Sequence, residues 1–165
     1  MKMAILFGTL ILLAGCADHF VAPTSGPVAE ANFAAAGLDH GATILVQNFD
    51  NESCAPSRNG TRLATFTTTA IQGKGDSHDG VARTIPAGKP AIFTYAYNDG
   101  SSGVMDKTCS ITESFVPTAG ARYLVKFHKL DKTCDLSVTR QDGNDPKAVE
   151  GLHQVKPICL NGLTG

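Results

Sequence analysis

From residue 42 onward, apolar and polar side chains alternate in short runs separated by turn residues. Ala91–Tyr97 is the clearest run: Ala91, Phe93, Tyr95 and Tyr97 share one face of an extended chain, and Ile92, Thr94 and Ala96 the other. Asn98-Asp99-Gly100 then signals a turn. Ser110–Val116 places Ile111 and Phe115 on one side, and Pro117-Thr118-Ala119-Gly120 closes it. On the next run Tyr123, Val125 and Phe127 face one way and Lys126 and His128 the other; Leu136 and Val138 continue the alternation. Ala42–Phe49 is apolar nearly throughout and reads as a central strand, Arg62–Thr69 is Thr-rich and β-prone, and Val81–Ile85 is a short strand before Pro86-Ala87-Gly88. These runs predict an all-β domain, an antiparallel β-sandwich of about seven to eight short strands, with a small barrel as the nearest alternative. No crossover helices separate the runs, which argues against parallel pairing.

The first sixteen residues follow a different pattern. Lys2 supplies a positive start, Met3–Leu13 an apolar stretch, and Ala14 and Gly15 the small residues of a signal-peptidase site. The stretch is too short to span a bilayer. Leu13-Ala14-Gly15-Cys16 resembles the lipobox of bacterial lipoproteins at all four positions. That resemblance implies cleavage before Cys16, a diacylglyceryl thioether on its sulfur and an acylated new N-terminus carrying palmitate-type chains. It also implies attachment to the membrane through the lipid, where each buried methylene contributes roughly 0.8 kcal/mol. Ala17, in place of Asp, implies the outer membrane under the enterobacterial sorting rule. Residues 17–41 are rich in Ala, Gly, Pro, Ser and Thr, the composition of a spacer, with a short helix expected over Ala29–Leu38. The expected organisation is a signal peptide at 1–15, a lipidated cysteine and flexible tether at 16–41, and the β-domain at 42–165. The turns at 85–89 and 116–123 (IPAGK, VPTAGARY) resemble those of small immunoglobulin-like or transthyretin-like sandwiches of envelope lipoproteins, a likeness of style that carries no functional residue.

Charge and chemistry narrow the function classes. Fourteen Lys and Arg face fifteen Asp and Glu over 165 residues, with no basic stripe, so nucleic acid is not an expected partner. With Cys16 assigned to lipid, Cys54, Cys109, Cys134 and Cys159 remain, an even set that in an exported domain implies two disulfides. Three pairings are possible. A hairpin through 141–146 would set Cys134 opposite Cys159 and leave Cys54 for Cys109. The rival, 109–134 with 54–159, joins strands one apart in a simple meander, at ~10 Å, too far for a disulfide. The cysteines lack the close pairs of zinc sites, so no metal and no cofactor is expected. Asp76-Ser77-His78-Asp79 is the most suggestive carboxylate–imidazole cluster and reads as an exposed polar loop. No Gly-x-Ser-x-Gly occurs. Glu113 alternates with Ile111 and Phe115 and reads as a strand-edge or sheet-face residue. Phe93, Tyr95, Tyr97, Phe115, Tyr123 and Phe127 read as core, with the polar ends of Tyr97 and Tyr123 at a rim. The expectation is a lipid-anchored envelope protein, not an enzyme, acting as a binding or structural module on a protein or cell-wall partner. The alternative is a proteinaceous inhibitor of an exogenous hydrolase such as a lysozyme or protease, presenting the loop at 76–80 or at 98–107.

Overall fold

The computed structural model describes residues 20–54, 60–68, 76–100, 108–131, 133–143 and 145–156, with backbone alone for 76–79. The leader, Cys16 and Cys159 lie outside the described residues. Ten strands follow in order: β1 (Val28–Leu38), β2 (Thr43–Phe49), β3 (Thr61–Thr67), β4 (Asp76–Pro86), β5 (Ala91–Asn98), β6 (Thr108–Phe115), β7 (Arg122–Lys129), β8 (Cys134–Asp142), β9 (Asp145–Ala148) and β10 (His153–Gln154). They form two five-stranded sheets packed face to face, ordered β4-β1-β7-β8-β9 and β10-β6-β5-β2-β3. The predicted all-β sandwich is therefore the architecture, with ten strands in place of seven to eight.

The alternation read from sequence builds the core. Phe93, Tyr95 and Tyr97 of β5, Ile111 and Phe115 of β6, Val125 and Phe127 of β7, and Leu136 and Val138 of β8 are buried in one cluster between the sheets. The aromatic rings interlock: Phe33 meets Phe93 edge-on at 5.0 Å, and Tyr95 stacks on Phe127 at 5.6 Å. The Tyr95 hydroxyl donates to the Val125 carbonyl at 2.8 Å, so its polar end is satisfied across the sandwich.

Four expectations are corrected. The segment 28–38, assigned to the tether and to a short helix, is β1, paired with β4 on one side and β7 on the other. Ala29, Ala31, Phe33 and Ala35 point inward and are buried, while Glu30 and Asn32 face out. Small alanines fill the inward positions, so the segment has the strand period without the bulky β-branched residues that advertise a strand. A fragment beginning at residue 42 would lack this strand. Second, β1 runs parallel to β7, from Glu30 opposite Arg122 to Ala36 opposite His128. This parallel pair needs no crossover helix, because five strands, β2 to β6, lie between its two members in the chain and make the return. Gly37, in the left-handed region at φ 73°, lies against the Lys129 carbonyl where a Cβ would collide.

The third correction concerns the disulfide pairing. Cys109 is bonded to Cys134, with Cα atoms 6.3 Å apart. The two strands are not neighbours-but-one in a meander: β6 and β8 belong to different sheets and meet across the sandwich edge, not along one sheet. Cys54 is also disulfide-bonded, which removes it as a partner for Cys109. In addition, 76–80 is not a loop: it begins β4, pairing His78 with Ala35 and Asp76 with Leu38 through a register shift.

Candidate functional site

The inward face of β8 changes character along its length. Leu136 and Val138 are buried in the core, but the next two inward positions are Arg140 and Asp142. Tyr123 of β7, Arg140 of β8 and Lys147 of β9 lie abreast in register. The opposite sheet does not cover them: β6 ends at Phe115, and Val116 and Thr118 form the facing lip. The result is an open mouth of about 400 Å³ at this corner of the sandwich, where core positions carry charge.

The charges are ordered. Arg140 donates from Nε to Asp142 Oδ1 at 2.9 Å, and Lys147 Nζ lies 3.6 Å from Asp142 Oδ2. The hydrogen bond from Arg140, reinforced by Lys147, holds the Asp142 carboxyl below the usual carboxylate range. Tyr123 is buried, tilts against Phe115 at 5.0 Å, and accepts the Thr118 N–H on its hydroxyl at 2.9 Å. Glu150 stands exposed at the outer rim. No Ser, Cys or His is among the described residues lining the mouth.

Two further polar features involve β6 and its neighbours. Glu113 of β6 sits opposite Phe93, on the inward side between Ile111 and Phe115. Its Oε2 is buried without a hydrogen-bond partner among the described residues. Burial, with the Asp135 carboxylate adding to it, pushes this carboxyl up to about 7. The reading of Glu113 as an edge or sheet-face residue thus gives way to an interior one. On the outer face of the same sheet, Glu52 and His153 pin the chain after β10. His153 Nε2 lies 2.8 Å from Glu52 Oε1, and Nδ1 lies 2.9 Å from the Gly151 carbonyl. Both partners are acceptors, so the ring that satisfies both donates from both nitrogens, as the imidazolium. The Gly151 and Glu52 contacts raise the His153 pKa, while hydrogen bonds from Ser114 and His153 lower that of Glu52.

The aromatics expected as core are core, and of Tyr97 and Tyr123 only Tyr123 reaches the mouth; Tyr97 donates to Asp39 Oδ2 at 2.9 Å. Asp76–Asp79 have a described backbone only, and Cys16, Cys159 and the tip of the 98–107 segment fall outside the described residues. No group of three metal-ligating side chains occurs among the described residues. Arg140, Asp142 and Lys147 were not singled out from sequence. The signal was available, since Leu136, Val138, Arg140 and Asp142 continue one period-2 face from apolar into charged. A scan against protein-family models and a search of curated proteins both return no match.

Proposed function

We propose that this chain is a lipid-anchored envelope protein acting as a non-catalytic binding module, with the mouth between β8, β9 and the Val116–Thr118 lip as its ligand-contacting site. The observation that carries the binding reading is the replacement of core side chains by Arg140, Asp142 and Lys147 at inward positions that no other described element covers. A sheet face kept charged and open at the core's own periphery forgoes apolar burial, which a bound partner would restore. The side chains there are fixed by one another and suited to holding a ligand. The lipobox at Leu13–Cys16 supports the anchor, and the Cys109–Cys134 disulfide suits an oxidising compartment.

Two measurements test this. Metabolic labelling with a palmitate analogue should mark the protein and fail to mark Cys16→Ala; equal label in both would remove the anchor. Capture from envelope extracts by the full-length chain, compared with its Arg140→Ala/Lys147→Ala variant, should yield a partner that depends on the mouth. A resident envelope component fits the module reading, whereas a foreign hydrolase recovered stoichiometrically would replace it with the inhibitor reading.

A further inference from the structure

The mouth is unusual in its hydrogen-bond accounting. Arg140 is committed only through Nε, so its two terminal nitrogens have no acceptor among the described residues. Among the described residues Lys147 has a single partner, Asp142 at 3.6 Å, a separation that is ionic contact rather than a formed hydrogen bond. The Tyr123 hydroxyl receives the Thr118 N–H as an acceptor, and its own proton has no acceptor among the described residues. Three donor groups therefore line one cavity; of its two carboxylates, Asp142 is already engaged by Arg140 and Lys147, and Glu150 stands at the rim. The Arg140 and Lys147 side chains are 37% and 64% exposed, so these donors face solvent, and a ligand that supplies anionic acceptors would exchange water there for charge-assisted bonds.

We infer that the mouth binds the terminal α-carboxylate of a peptide. The inference rests on the binding reading above and names the ligand chemistry of the same site. A guanidinium whose Nε is pinned presents its remaining edge as a planar fork, and a carboxylate matches that fork with two parallel bonds. Asp142 both orients the fork and offsets one of the two positive charges, leaving Arg140, Lys147 and Asp142 with one net positive charge for a monoanion. Glu150 at the rim cancels the remaining field at longer range, so selectivity rests on hydrogen-bond geometry at close contact rather than on attraction from a distance. The rim carboxylate and the exposed β9 backbone suit the peptide's own amides, and Val116 with Val149 offers apolar contact for a small side chain. A cavity of about 400 Å³ accommodates the last two or three residues of such a chain and not a folded domain.

The test uses the full-length protein in detergent micelles, titrated by calorimetry and by amide chemical shifts with N-acetyl-trialanine as the free acid, the same peptide as its C-terminal amide, and sodium acetate. The acid should bind with shifts at Tyr123, Arg140 and Lys147, at least ten-fold more tightly than the amide. Acetate should bind at the same residues but at least ten-fold more weakly than the peptide acid, because it lacks the peptide's amides. Arg140→Lys, which keeps the charge but loses the fork, should reduce acid binding about ten-fold and leave the melting temperature within a few degrees. Acid and amide binding equally, or no shift at these residues with any probe, overturns the inference. Acetate binding as tightly as the peptide acid would limit the site to small carboxylates and overturn the peptide assignment. Capture of a mouth-dependent partner from extracts would stand through either failure, so the two readings fail separately.

Discussion

The outward faces of the two sheets are treated in opposite ways. On the β5 sheet the outward residues Ile92, Thr94 and Ala96 of β5, and Thr112 and Ser114 of β6, are all buried. Ile92 joins Phe49, Cys54 and Val155 in a second small core, and the Val155 N–H donates to the Thr112 carbonyl at 2.9 Å. The two buried threonines meet hydroxyl to hydroxyl at 2.8 Å, as burial requires of polar groups. On the β1 sheet the corresponding residues, Asn32, Leu124, Lys126, His128, Ser137 and Thr139, remain half-exposed. Among the described residues, one face is covered by the 50–54 segment and Val155; the other meets solvent. The difference shows that polarity of outward residues does not report burial: Thr94 and Ser137 look alike in sequence, and what separates them is chain that arrives from elsewhere.

Four substitutions probe the contrast. Ile92→Ala removes a fully buried side chain from the sealed face and should destabilise by about 2–4 kcal/mol in chemical denaturation. A loss below about 1 kcal/mol would mean that the seal is loose. Glu113→Gln acts between the sheets. The folded carboxyl titrates at about 7, above its ordinary value of 4.5, so its contribution is fully present below 4.5 and lost as pH rises through 7. Wild type should therefore weaken on the alkaline side while the variant does not. At pH 8 the variant should be more stable by about 1–2 kcal/mol, less than the full shift implies because the group is only half-buried. Well below pH 4.5 the two should melt together. Equal stability at pH 8 would mean that Glu113 has a partner in solution.

His153→Gln addresses the fastening of the seal. His153 is raised, so its contribution is full below 6.5 and lost as pH climbs through its folded value; Glu52 is lowered, so its contribution is present above 4.5 and lost as pH falls through its own. The fastening is complete between about 4.5 and 6.5. A melting profile from pH 4 to 8 should show a small rise in that window for wild type and a flatter curve for the variant. Lys126→Ala on the open face should change stability by no more than about 0.5 kcal/mol. A larger loss would show that this face is also packed against something.

The legible part of the fold is the part whose side chains are large. Phe93, Tyr95, Tyr97, Phe115, Val125 and Phe127 announce both strand period and core face, and all are buried as expected. β1 was hidden because its inward positions are mostly alanine, which a spacer or helix would also use. Its parallel pairing with β7 was hidden because adjacency of distant strands is a property of the closed sandwich, not of any local run. The same holds for Cys109 and Cys134, whose strands meet only when the two sheets face each other. At the mouth, the alternation that identified Leu136 and Val138 extended two steps further to Arg140 and Asp142. Charge at those positions resembled an ordinary exposed strand end, and only the missing cover of the opposite sheet gives it meaning.

The placement of β1 also has a mechanical side. A load arriving from a membrane attachment at residue 16 would pass the Phe20 contact with the core and then travel along β1, a strand bonded to neighbours on both flanks. The hydrogen bonds to β4 and β7 would then be strained together, in shear, and would have to give way collectively. Had the chain entered through an edge strand such as β3, the same tug could have peeled one rung at a time. A domain leashed at this strand can be pulled by whatever it grips without its first contacts unravelling.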